Sequence, residues 1–175
     1  MKRLSILAAG LSIFALGCGS SSPTASTANP TTVKFTAALL PANEVPPVTN
    51  AEINGSGNAV ITFNLTRDGS GNITAATADF AVQLAGYPPS TPVVAAHIHN
   101  GPAGVSAGVL VGSGITAGDG IVLANGSGSF TRTNITQNMD PAHVNDMIAN
   151  PSNYYFNVHS ASNPSGFSRG QMVKQ

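Results

Sequence analysis

Apolar residues recur at every second position in one short stretch after another, and clusters of glycine, proline, asparagine or aspartate close each stretch. Val33, Phe35, Ala37 and Leu39 form the first run, Ala59, Ile61, Phe63 and Leu65 the second, and Ala78, Phe80, Val82 and Leu84 the third. A period of two sends alternate side chains to opposite faces of an extended chain, so each run offers one face to a core. The turns come from 19 Gly and 12 Pro in 175 residues, while 42% apolar content argues for a packed interior rather than disorder. A chain of this length accommodates one domain with appendages.

The punctuation fixes further expectations. Asp68-Gly69-Ser70-Gly71-Asn72 joins the second and third runs as a hairpin. Glu44-Val45-Pro46-Pro47-Val48 has two adjacent prolines, which remove two ladder donors, so it is an edge or a shaped loop. Residues 87–92 form a stiff proline loop leading into a strand over 93–99, which Gly101-Pro102-Ala103-Gly104 ends. Short strands are expected at 108–112, 121–124 and 129–133. One helix is expected over 140–149, where Asp140 suits the N-cap, Pro141 the first helical position, and Val144, Met147 and Ile148 share a face. Strands at 154–159 and, after a loop over 160–170, at 171–173 complete the domain. About eight strands with one short helix define an all-β class, a sandwich or barrel with Greek-key connections.

The N-terminus carries a different signal. Met1-Lys2-Arg3 precedes a thirteen-residue apolar run at 4–16, which suits a secretory signal and is shorter than the roughly 20 residues of a spanning helix. Ala15-Leu16-Gly17-Cys18 follows and resembles the bacterial lipoprotein signal, in which the cysteine is acylated and becomes the first mature residue. Cys18 is the only cysteine, so it has no internal disulfide partner. The expected organisation is a signal peptide over 1–17, a flexible tether of small polar residues over 18–32, and a β domain over 33–175. The implied location is the bacterial cell envelope, anchored in a membrane through lipidated Cys18; Gly19 resembles the pattern of outer-membrane lipoproteins if the cell is Gram-negative.

Only 8% of residues are charged and the formal net charge is zero. Loss of Lys2 and Arg3 with the leader leaves five basic residues against seven acids. No basic field exists to hold nucleic acid. There is no G-X-S-X-G nucleophile elbow, and the G-X-G pieces lack the strand-to-helix setting of a phosphate loop.

The residues that carry chemistry are histidines. In Ala96-His97-Ile98-His99-Asn100-Gly101-Pro102, an extended backbone sends His97 and His99 out of one face, opposite Ile98. In Tyr154-Tyr155-Phe156-Asn157-Val158-His159, the same alternation sets His159 opposite Tyr154, Phe156 and Val158. Were the two strands neighbours, His97, His99 and His159 would converge, and three imidazoles with an open position suit copper or zinc. The other reading is an ordered polar cluster, hydrogen-bonded to Asn157, Glu44 or backbone carbonyls. Glu44 either accepts the outer N–H of a ligating imidazole or stabilises its own loop near Pro46 and Pro47. Arg169 either attracts an anion or pins the last loop through its guanidinium. His143, on the short helix, is expected to face solvent.

Several pieces together resemble the CHRD domain, a module first described in chordin. They are Phe35-Thr36-Ala37-Ala38-Leu39, Glu44-Val45-Pro46-Pro47-Val48, Ala96-His97-Ile98-His99-Asn100-Gly101-Pro102-Ala103-Gly104, Asn157-Val158-His159, and Pro164-Ser165-Gly166 leading to Arg169-Gly170-Gln171, in the family's order over about residues 33–173. The resemblance implies an immunoglobulin-like or copper/zinc superoxide dismutase-like β fold, without an established activity. One departure is Phe167-Ser168, where relatives often carry an acid close to the arginine. Two functions remain in view: an anchored binding module for an unidentified protein or polysaccharide partner, and a copper- or zinc-binding envelope protein that handles metal or performs superoxide dismutase-like redox chemistry. Too few histidines and no disulfide cysteines argue against a full dismutase site.

Overall fold

The computed structural model describes residues 29–175. Within them two antiparallel sheets pack face to face. The first holds β1 (Thr32–Leu39), β2 (Ser56–Arg67), β3 (Ile73–Ala85), β7 (Gly128–Ile135) and β10 (Val173–Lys174), in the order β10-β1-β2-β3-β7. The second holds β4 (Thr91–Asn100), β5 (Val109–Gly112), β8 (Tyr154–Ser160) and β9 (Ser168–Gln171), in the order β5-β4-β8-β9, with the two-residue β6 (Val122–Leu123) beside β4. Strands distant in sequence thus become neighbours, β3 with β7 and β4 with β8, as the all-β sandwich expected from the alternation requires.

Alternation builds the core directly. Phe35, Ala37 and Leu39 from β1, Ala59, Ile61 and Phe63 from β2, and Ala78, Phe80 and Val82 from β3 are buried against Ile98, Val111, Phe156 and Val158 of the second sheet. Phe80 and Phe156 stack across the two layers with centroids 5.5 Å apart. The helix α1 (Pro141–Ala149) begins as expected: the Asp140 carboxylate accepts from the backbone N–H groups of Ala142 and His143, and Val144 and Met147 are buried while its polar side faces water. The Glu44–Val48 segment is a loop in which Glu44 and Val48 are buried.

The C-terminal expectation needs correction. Residues 168–170 are not loop but most of β9, paired with β8 from Val158↔Ser168 to Tyr155↔Gln171. Ser168, Arg169 and Gly170 show no apolar alternation because both faces of this strand are covered, one by the core and one by loops. The sheets also meet along one edge, where Leu40 and Arg169 exchange backbone hydrogen bonds of 3.1 and 3.4 Å. Gly170 permits that approach, since a Cβ there would lie 2.1 Å from the Ala38 carbonyl oxygen, far inside any contact distance.

Gly170→Ala is therefore expected to force the two sheet edges apart. The expected loss is about 1–3 kcal/mol, the usual range for overpacking, read as a lower urea midpoint with an unchanged slope.

Candidate metal centre

His97 and His99 project from β4 and His159 from β8, and these strands are antiparallel neighbours with His97 opposite Asn157 and Ala95 opposite His159. Ile98, Phe156 and Val158 fill the core, so His97, His99, Tyr155, Asn157 and His159 share the outer face. That face is roofed. The loops between β4 and β5 and between β8 and β9 fold over it, leaving His99 and His159 only 5% and 7% exposed and His97 half-buried.

The roof decides which ring nitrogens carry protons. His159 Nδ1 lies 2.9 Å from the Pro164 carbonyl oxygen, and His99 Nδ1 lies 2.9 Å from that of Ala107. A carbonyl can only accept, so both Nδ1 atoms hold the proton and both Nε2 atoms present lone pairs. His97 Nδ1 stands 3.1 Å from His159 Nε2 and donates to it. His99 Nε2 is buried with no hydrogen-bond partner among the described residues. One ligand nitrogen from each of the three rings lies within 4.8 Å of the others. A tetrahedral ion with bonds of about 2.05 Å sets its nitrogens about 3.3 Å apart, so the 3.1 Å His97–His159 separation is close to ligand spacing once His97 carries its proton on Nε2.

Electrostatics favours the neutral, ligating form. Burial holds all three imidazoles below the ordinary histidine range. His97 is pushed to about 4, by burial first and then by the neighbouring His159 and His99. The carbonyls of Ala107 and Pro164 pull part of the way back at His99 and His159. Neutral imidazole is what binds metal, so little proton competition remains at neutral pH.

A second tier of contacts holds the rings. His99 stacks on Tyr155 with centroids 4.7 Å apart and planes parallel to within 1°, and the Arg169 guanidinium lies 4.1 Å from the centroid of the same tyrosine. The Tyr155 hydroxyl accepts from the Ala107 N–H at 3.2 Å, while Arg169 Nη1 donates to the Val105 carbonyl at 3.0 Å. Arg169 therefore pins the loop after β4 rather than the last loop, because its strand lies beside β8 and its side chain crosses Tyr155. Asn157 donates weakly to the Ser165 carbonyl at 3.4 Å and bonds to no imidazole. Glu44 sits beside Arg169 and Asn157, with its Oε1 buried and unpartnered. Burial pushes its carboxyl up to about 7 against the opposing pull of Arg169 and Asn157.

His143 is exposed on α1, paired with Asp140, and takes no part in the cluster. Cys18 and the leader lie outside the described residues. Sequence reasoning missed Tyr155 and the carbonyls of Ala107 and Pro164. The parity that sets Asn157 and His159 on one face assigns Tyr155 to it as well, whereas the carbonyls leave no trace in residue type.

The pieces around this centre come from Glu44 in the double-proline loop, from the His97-Ile98-His99 strand with its following turn, and from Arg169 in the final pair of strands. A family model described as the CHRD domain matches residues 35–172. The chain belongs to the CHRD domain family. No curated protein and no solved structure matched it significantly. In this CHRD domain the three histidines, the tyrosine and the arginine all lie inside the matched span.

The charge state of the buried layer predicts how the metal-free protein responds to acid. His97 binds its proton more weakly folded than unfolded, so its contribution is present above pH 6.5 and is lost as the pH falls toward 4. Glu44 has the opposite sign: its raised value means that stability is gained as the pH falls through 7 toward 4.5. Glu44→Gln, which stays neutral, is thus expected to melt higher than the parent at pH 8, with the difference shrinking by pH 5. Thermal melts of the metal-free full-length chain at the two values check this.

Proposed function

We propose that this CHRD domain is a metal-binding module of the bacterial cell envelope, holding one copper or zinc ion through His97, His99 and His159. The observation that supports it best is that three imidazoles bring one ligand nitrogen each to within 4.8 Å of one another, in a layer where the buried His99 Nε2 has no hydrogen-bond partner among the described residues. An unpaired buried acceptor costs roughly 1–3 kcal/mol, which coordination to an ion would remove. An ion smaller than a water molecule satisfies it and the other two rings together. The outer N–H groups of His99 and His159 already donate to carbonyls, the arrangement that orients ligating histidines in metal sites.

Stoichiometric uptake of one Cu or Zn by the metal-free full-length chain is the expected result. At a thousandfold excess over Kd, binding to the native state adds about 4 kcal/mol, which raises Tm by roughly 10 °C for a domain of this size. His97→Ala, His99→Ala and His159→Ala are each expected to abolish most of that rise. A rise that survives all three changes, or no uptake at all, overturns the metal reading and leaves an anchored module for a macromolecular partner.

The leader supports an anchored location. The apolar run over 4–16 and Ala15-Leu16-Gly17-Cys18 resemble the signal acylated in bacterial lipoproteins, and the polar stretch over 19–32 would hold the domain off the membrane. Cys18→Ser is expected to move the protein from the detergent phase to the aqueous phase in a phase-partition assay and to remove the acyl mass from its N-terminal peptide.

A further inference from the structure

Resting on the metal reading above, we propose that the three-histidine centre selects monovalent copper over divalent ions. The donors carry no charge: all three are neutral imidazole nitrogens, and among the described residues no carboxylate or thiolate joins their cluster. An ion seated there keeps its whole charge in a buried layer. The cost of removing an ion from water scales with the square of its charge, so a divalent ion pays about four times the desolvation of a monovalent one of equal size.

The surrounding charges act in the same direction. The guanidinium of Arg169, the ring of Tyr155 and the ring of His99 form one stack, which sets a fixed positive charge behind a ligand. Of the two buried acids nearby, Glu44 lies beside Arg169 and Glu52 accepts from Ser160 and Asn163; neither carboxylate belongs to the three-histidine cluster. Among the described residues no acid joins the ligand set to offset a second unit of charge on the ion.

Coordination number is the third consideration. Zinc takes four ligands in structural sites and adds a water to three protein ligands in catalytic ones. His99 and His159 lie under the loops, and only His97 is half-exposed, so room for a fourth ligand from solvent is restricted. Monovalent copper, with the same filled d shell as zinc but half its charge, is content with three nitrogen donors.

The test uses the full-length chain, purified in detergent and made metal-free, in an anaerobic chamber. Cu(I), generated from copper sulfate with ascorbate, is titrated against bicinchoninate; Cu(II) and Zn(II) are titrated separately, and the potential of the bound copper is measured. Monovalent copper is expected to be favoured over divalent copper at least tenfold more than in water, a rise of about 59 mV or more for one electron, and a hundredfold excess of zinc should fail to displace it. Displacement by zinc, or a potential below that of aqueous copper, overturns the selectivity while leaving the metal reading intact. Failure of all three ions to bind overturns both. Arg169→Gln is expected to lower the potential, and Arg169→Lys, which keeps the charge, to restore most of it; equal shifts in the two variants overturn the role assigned to the charge. Should neither variant fold, the potential of the unaltered protein decides.

Discussion

A strand buried on both faces has to bring partners for its polar side chains with it, and β8 imposes that constraint on everything around it. All seven of its residues are buried. Tyr154, Phe156 and Val158 meet hydrocarbon, which needs no direction, but Tyr155, Asn157 and His159 face a layer that must supply donors and acceptors at defined places. The loops after β4 and β8 supply them from the backbone, and β9 brings Arg169 alongside. The hydrophobic sandwich is the platform; the polar layer on its back is where the architecture becomes specific.

That layer is only partly satisfied. Glu44 Oε1, His99 Nε2, Asn157 Oδ1 and Arg169 Nη2 are all buried without hydrogen-bond partners. Each such atom is costly in a buried layer. The orphan on His99 is the one whose neighbours share its chemistry, since two other imidazoles face it. The remaining three cluster around the Glu44–Arg169 approach, where opposite charges lie close without pairing directly.

Much of this was legible in the sequence, for a physical reason that also marks where legibility stops. Period-two alternation reports which side chains share a face, so β1, β2, β3 and the common orientation of His97 and His99 could be read directly. The single helix declared itself through Asp140 and Pro141. Ser168-Arg169-Gly170 did not register as a strand, because alternation vanishes when neither face is solvent. The adjacency of β4 and β8, some sixty residues apart, rests on the packing of whole sheets, and the tautomers of His99 and His159 rest on carbonyl groups that every residue possesses.

At Ala107 the site is braced by main chain alone. Its carbonyl fixes the proton on His99 and its amide holds the Tyr155 hydroxyl, yet its side chain is a single methyl group that contributes to neither bond. Both bonds come from main-chain atoms, so they depend on the path of the loop rather than on residue type, proline excepted because it lacks the amide hydrogen. Adding or removing one residue between 101 and 108 displaces both bonds at once. The centre is thus tolerant of spelling errors in its roof and intolerant of changes in its length, so evolutionary drift at this loop would be expected to preserve spacing while letting composition wander.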